Sequence, residues 1–347
     1  MTLRTLILRS LKFHARSHVG VVLGATVSVA VLAGALIVGD SVRGSLRDLA
    51  LQRIGGVEVA LQSGDRLFQA TLAQSLTDRL SADVLACAPQ LEFVSSMSVG
   101  VDHIDVSALT RRGIPLGNTP GVLADTTADL AFALLLAAAR RVPEADNFVR
   151  RGNWSEHNAW SPEFFTGKDV GGATLGLVGL GAIGEAVARR AAGFGMDVLA
   201  WNRTPRPVAN VRNVSLDDLL ARSDFVSIHV ALAPDTRNLI SAARIAQMKP
   251  GAVLVNTARG GIVDENALAE ALRSEHLYAA GVDVFEREPI AVDNPLLELS
   301  NVVLAPHIGS ATQHTRARMA DLAVGNALAA LAGQPMPHCV NPGVYKN

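Results

Sequence analysis

The chain has 347 residues, 49% of them hydrophobic and 18% charged, with 31 Lys+Arg against 32 Asp+Glu for a net charge of -1. That length predicts two domains with cores of their own, and the balanced charge excludes the basic footprint of a nucleic-acid-binding surface. Cys87 and Cys339 stand outside any CxxC or Cys/His cluster, which excludes a disulfide framework and argues against a structural zinc site.

Residues 19–38 read VGVVLGATVSVAVLAGALIV, without a charge, after Arg4, Arg9, Lys12 and Arg16. A helix of that length reaches across a bilayer core of ~30 Å, so a membrane span is expected. A signal peptide and a buried helix are the alternatives, the first because Ala33-Gly34-Ala35 has the small residues of a cleavage site. The run and its flanks, LRSLKFHARSHVG and VGDSVRGSLRDLALQRIGG, resemble the N-terminus of ABC-transporter permeases of the lipoprotein-export type. That resemblance implies a permease-like segment over residues 1–69, with membrane association through residues 19–38; the positive-inside rule places the basic N-terminus on the cytoplasmic side, against the opposing pull of Arg43, Arg47 and Arg53 after the span.

From about Ala70 the pattern changes. Short apolar runs at FVSSMSV (93–99), TLGLVGL (174–180), MDVLAW (196–201), DFVSIHV (224–230), AVLVN (252–256), AAGVDV (279–284) and NVVLAP (301–306) alternate with helical stretches. Such alternation predicts parallel strands in an α/β, doubly wound sheet. Helical segments at 124–141 and 311–332 are expected to link the domains.

The first chemistry-bearing motif is Gly179, Leu180, Gly181, Ala182, Ile183 and Gly184, after a strand-like run and before the Ala-rich EAVARRAAGFG. Strand before and helix after is the context a dinucleotide fingerprint requires. Gly179 suits the tight turn, Gly181 a close approach of backbone to pyrophosphate, and Gly184 helix–strand packing, with helix amides facing the phosphates. After the next strand, the position at which an acid would accept from a ribose 2′-OH is Asn202, followed by Arg203, Thr204 and Arg206. Guanidinium groups suit a 2′-phosphate, so NADP(H) is expected in preference to NAD(H).

Beyond later strand ends lie Arg259 in NTARGG, Asp283 and Glu288 in DVFEREP, and His307 after NVVLAP. Ligands bind at the carboxyl ends of strands in such sheets. Reduction of a ketone needs a proton donor, a cation for a neighbouring carboxylate and a group that tunes the donor; His307, Arg259 and Glu288 fit in that order. Each also has a bland reading, as a core histidine, a surface pair or a solvated loop charge. His229 reads as structural or as a neighbour of adenosine, and the histidines form no HExxH pair.

The stretches MSVGVDHID, NTPGVLADTTADLAFALLLAAARR, GLVGLGAIG, WNRTPRP, NTARGGIVDE, GVDVFEREP, NPLLEL, PHIGSAT and CVNP together resemble the D-2-hydroxyacid dehydrogenase family, most closely its glyoxylate/hydroxypyruvate reductases, over residues 74–345. The resemblance implies reduction of a small 2-keto acid to the 2-hydroxy acid in a cytoplasmic homodimer. Arg259 would bind the substrate carboxylate and keto oxygen, His307 would donate the proton, and Glu288 would pair with His307. Asp283 would hold the nicotinamide carboxamide, the backbone at Val99 and Gly100 would grip the carboxylate, and Thr257 and Gly309 would line the cofactor. A tryptophan matching Trp160 reaches into the partner's active site in relatives. The implied layout is a truncated flavodoxin-like substrate domain at 70–120, a Rossmann NAD(P)-binding domain at 121–306 and a C-terminal helix at 307–347 returning to the substrate domain. The family match begins partway into the substrate domain, which implies a chain joined from two sources near residues 63–76. Two further readings follow: a cofactor-binding chimera with impaired turnover, and a membrane protein with a permease-derived anchor.

Overall fold

The computed structural model describes residues 91–346. The apolar run at 19–38, the rest of the permease-like segment and the residues up to 90 lie outside the described residues. Among the described residues no helix is long and apolar enough to cross a membrane.

Chain order gives β1 (Val94–Ser95), α1 (Val106–Arg111), β2 (Leu116–Gly117), α2 (Ala124–Ala139), α3 (Val142–Arg150), β3 (Thr174–Val178), α4 (Ala182–Gly193), β4 (Asp197–Trp201) and β5 (Val211–Asn213). There follow α5 (Leu216–Arg222), β6 (Phe225–Ile228), α6 (Ala242–Gln247), β7 (Ala252–Asn256), α7 (Glu265–Arg273), β8 (Leu277–Val282), β9 (Val302–Leu304) and α8 (Gln313–Leu331).

Seven parallel strands form one sheet in the order β5-β4-β3-β6-β7-β8-β9. The chain winds outward from β3 to β5, then returns to the other side of β3 and winds outward again. The order therefore reverses between β3 and β6, where a doubly wound sheet opens its ligand crevice. Successive residues of a strand point to opposite faces, and both faces are covered. Leu175, Leu177, Val198, Ala200, Val253 and Val255 pack with α2 and α4 on one side. Val178, Leu199, Val226, Leu254 and Val282 pack with α5, α6 and α7 on the other. This is why the strands read as continuous apolar runs.

Helix α2 is expected from its apolar periodicity and buries Ala128, Ala131, Phe132, Leu135, Ala138 and Ala139. The expected helix 124–141 ends at Ala139, because Arg141 adopts a left-handed φ of 54°; α3 then restarts with a Pro in its first turn, where a missing N–H costs nothing. The expected strand 93–99 shrinks to Val94–Ser95. The short edge strand β5, Val-Arg-Asn, shows no apolar run and escapes the sequence reading.

The smaller part pairs β1 with β2 in parallel, Val94 opposite Leu116. The C-terminal segment returns to it through Val340 N–H to Leu116 O at 2.7 Å and Asn118 N–H to His338 O at 3.1 Å, while Thr312 caps the helix α8 that leads there.

Candidate active site

Each expected site residue in the large sheet follows a strand at its carboxyl end: Gly179 after β3, Asn202 after β4, Thr257 and Arg259 after β7, Asp283 and Glu288 after β8, and His307 after β9. Parallel strands place these ends on one edge of the sheet.

At the switch point, Gly179 has φ 104° and a Cβ there would lie 2.7 Å from the carbonyl carbon of His229, while a Cβ on Gly184 would lie 2.2 Å from Gly179 O. These two glycines are required by the protein itself. Gly181 is different: nothing lies within 4 Å of where its Cβ would be. Its φ of -83° suits any residue and no side chain caps the α4 N-terminus it precedes. The first amides of α4, including those of Ala182 and Ile183, are left for a ligand, as a pyrophosphate requires. The site therefore fits a dinucleotide.

Asn202 ties the next strand to this loop, accepting from Leu180 N–H at 3.2 Å and donating to Thr204 O at 3.0 Å. Arg203 pairs with Asp235 at 2.7 Å, with both side chains largely exposed. Arg206 donates to Leu180 O at 3.1 Å and pairs with Glu185 at 2.8 Å. Arg206 thus lies against the loop, and both arginines already have carboxylate partners.

His229 follows β6, against the glycine turn. Its Nε2 meets Ser227 Oγ at 2.9 Å, its Nδ1 is buried with no partner among the described residues, and burial lowers its pKa to about 4. Thr257 is buried, and its hydroxyl likewise has no partner among the described residues.

The polar centre is built by two loops. In the first, Asn256 accepts from Ala258 N–H at 3.1 Å and donates to Arg259 O at 3.0 Å, an Asx-type turn that projects Arg259. Sequence reasoning overlooked this use of Asn256, although an Asn at a strand end is its signal. A Cβ on Gly260 would sit 1.8 Å from Phe285 O, so the Arg259 loop presses directly on the loop that carries Glu288. Arg259 Nε donates to Asp102 at 2.9 Å, a partner 157 positions away that was also overlooked.

In the second loop, His307 Nδ1 meets Glu288 Oε2 at 2.6 Å, and the other Glu288 oxygen accepts from Phe285 N–H at 3.0 Å. Burial works to raise the Glu288 carboxyl, but the hydrogen bond and charge of His307, the Phe285 amide and the Arg259 charge outweigh it and hold the group below its ordinary range. His307 adopts φ 54°, a conformation that costs a non-glycine residue free energy unless its surroundings hold it. Asp283 supplies that restraint: its carbonyl accepts from His307 N–H at 2.9 Å, and its carboxylate accepts from Ile308 N–H at 2.8 Å and Gly309 N–H at 2.9 Å. Burial pushes the Asp283 carboxyl up, opposed by those amides and by His307, and the balance lies above its ordinary value.

Val99 and Gly100 follow β1. Their amides have no acceptor among the described residues, and the space a Gly100 side chain would fill is taken by the Arg259 guanidinium, 1.9 Å from that Cβ position. Trp160 is not brought to this centre; it is 77% exposed on an irregular segment.

Residues 132–309, which run from within α2 to just past His307, match the D-isomer specific 2-hydroxyacid dehydrogenase NAD binding domain. A glyoxylate reductase of Korarchaeum cryptofilum is 50% identical over 279 residues, 79% of this chain and 83% of that protein. The crystal structure of the TT0316 protein from Thermus thermophilus superposes with a TM-score of 0.74 at 47% identity, covering 84% of this chain and 96% of that one. A glyoxylate reductase from Paecilomyes thermophila gives a TM-score of 0.69 at 36% identity, covering 76% and 79%. The permease-type resemblance of residues 1–69 receives no support from these matches. With a family model matched over residues 132–309 and a relative half identical over 83% of its own length, the chain belongs to the D-isomer specific 2-hydroxyacid dehydrogenase family of oxidoreductases.

Proposed function

We propose that the chain reduces a small 2-keto acid of the glyoxylate or hydroxypyruvate type to its 2-hydroxy acid, using NADPH in preference to NADH. The observation that carries this reading is the 2.6 Å contact between His307 Nδ1 and Glu288, on the loops after β8 and β9, within reach of the Arg259 charge.

The nicotinamide dinucleotide, when bound, supplies the hydride. Gly179 to Gly184 would hold its pyrophosphate, Asn202, Arg203, Thr204 and Arg206 its adenosine end, and Thr257, Asp283 and Gly309 its nicotinamide end. Arg259 binds the substrate's carboxylate and keto oxygen, and the Val99 and Gly100 amides grip the carboxylate. With Nδ1 engaged by Glu288, His307 presents Nε2 and gives its proton to the keto oxygen as the alkoxide develops. Glu288, kept ionised, fixes the ring and stabilises the imidazolium before transfer.

The cofactor preference is supported by Asn202 standing where a carboxylate would repel a 2′-phosphate. The exposed Arg203–Asp235 pair is of the kind worth little, ~0–1 kcal/mol, and can open. A homodimer is supported by the exposed aromatics Trp154 (58%) and Trp160 (77%) on one segment, which an apolar partner surface would cover. Catalysis is expected in the cytoplasm, where reduced dinucleotide is regenerated.

The test is oxidation of NADPH and of NADH by the full chain with glyoxylate and with hydroxypyruvate, beside the Arg259→Ala variant. Loss of a charged substrate anchor costs ~2–5 kcal/mol of transition-state binding, so kcat/KM should fall at least thirtyfold. Unchanged turnover in that variant would refute the substrate assignment, and equal use of both dinucleotides would refute the cofactor preference.

A further inference from the structure

Arg259 is held by a carboxylate that the scheme above leaves unused. Its Nε donates to Asp102 Oδ1 at 2.9 Å, and its Nη1 donates to Ala258 O at 2.8 Å. The guanidinium fills the space beside Gly100, where any side chain would collide with Nη2. Both partners of the ion pair are mostly shielded, with side chains 24% and 27% exposed, which separates it from ordinary surface pairs. Asp102 lies two residues beyond the Gly100 amide in the loop after β1, whereas Arg259 follows β7. The contact therefore fixes the distance between the two groups that must hold one substrate carboxylate.

We propose that Asp102 is a positioning residue for Arg259: it occupies the Nε side of the guanidinium and leaves the Nη2 edge to receive the substrate's carboxylate. This rests on the reading of Arg259 as the substrate anchor. A long arginine side chain loses rotamer freedom whenever it is ordered, and ordering it before the substrate arrives removes that cost from binding. The plane of the guanidinium also decides where the keto carbon sits, and small displacements are costly to reactions that depend on orientation. Asp102 uses one edge of a cation that has more donors than one carboxylate can take, so it does not displace the substrate; it selects the edge that remains.

The experiment is a double-mutant cycle on the full chain, with kcat and KM for glyoxylate measured for Asp102→Ala, Arg259→Ala and the double variant, alongside Asp102→Asn and Asp102→Glu. Reduced-dinucleotide fluorescence titrations report on the cofactor site of each. Asp102→Ala should lower kcat/KM by ~10–100-fold and add less than about twofold in the Arg259→Ala background, since the residue it positions is gone. Asp102→Asn, which keeps an acceptor in place, should restore most of the loss; Asp102→Glu, which keeps the charge but moves it by a methylene, should not. Additive losses would overturn the proposal, as would full rescue by Glu without rescue by Asn, or a lowered KM in Asp102→Ala, which would mark Asp102 as a competitor of the substrate. If Asp102→Ala fails to fold, the opposed Asn and Glu outcomes decide alone. Normal turnover in Arg259→Ala would instead remove the anchor reading, with Asp102 left as an ion pair only.

Discussion

In the seven-stranded part, leucine, valine and alanine side chains from both faces of the strands are buried against helices. In the β1–β2 part much of the stitching is done by amide side chains instead. Asn341 accepts from Leu116 N–H at 2.8 Å and donates to Thr110 Oγ1 and Ile114 O, each at 3.0 Å. Asn326 joins Asn118 O at 2.9 Å to His338 N–H at 3.0 Å, and helix α8 buries only Thr315, Met319 and Asn326. Apolar packing is non-directional and tolerant, whereas a buried amide demands its partners in place. The proposed cofactor cradle thus rests on apolar packing in the large part, and the proposed substrate-side amides of Val99 and Gly100 rest on directional contacts in the small part. Loss of turnover and loss of cofactor binding should therefore be separable by mutation.

The largest separation is expected at His307, the proposed proton donor. His307→Gln should reduce kcat by ~10²–10⁴-fold, the usual contribution of a positioned general acid, without changing dinucleotide affinity. Next, Asn341→Ala strands buried backbone groups of Leu116 and Ile114, at ~1–3 kcal/mol per group. Its melting temperature should fall and KM for the keto acid should rise, while dinucleotide still binds. Leu177→Ala, by contrast, removes a fully buried side chain from the large core at ~2–5 kcal/mol, and it should weaken folding and dinucleotide binding together.

A pH series sharpens the comparison within the large part. Burial holds His229 at about 4 against an ordinary 6.5, so the native state prefers the neutral ring. That preference stabilises the fold fully above the ordinary value and is lost as pH falls from there through about 4, a difference of ~3 kcal/mol. Unfolding free energy measured across that window should drop less steeply in His229→Gln than in the parent chain; parallel slopes would contradict the assignment. The smallest effect is expected at the glycine turn. Gly181→Ala meets open space and should leave the melting temperature unchanged while weakening dinucleotide binding by about tenfold, ~1.4 kcal/mol. Gly184→Ala, which collides with Gly179 O, should lower the melting temperature itself.

Most of the large sheet is legible in the sequence because its strands are buried on both faces. Runs such as TLGLV and AVLVN have no other use in a polar solvent. The edge strand Val211–Asn213 is not legible, since an edge needs no continuous apolar run and here shows mixed exposure. Arg259, Glu288 and His307 stand out because each is a polar residue just past a strand end. Their mutual geometry does not, and the pairing of Arg259 with Asp102 joins positions 157 apart with no local pattern linking them. The same holds for Asn341, whose partners lie more than 200 positions earlier. Local patterns reveal the period and the breaks of single elements, whereas a directional contact between distant loops is fixed only when the chain has folded.

The most direct test measures dinucleotide binding and keto-acid turnover side by side on one preparation of the full chain and on His307→Gln. An intact cofactor cradle with a dedicated proton donor predicts equal NADPH affinity in both and turnover with glyoxylate reduced at least a hundredfold in the variant. Turnover retained in His307→Gln, or NADPH affinity lost along with it, would contradict the account.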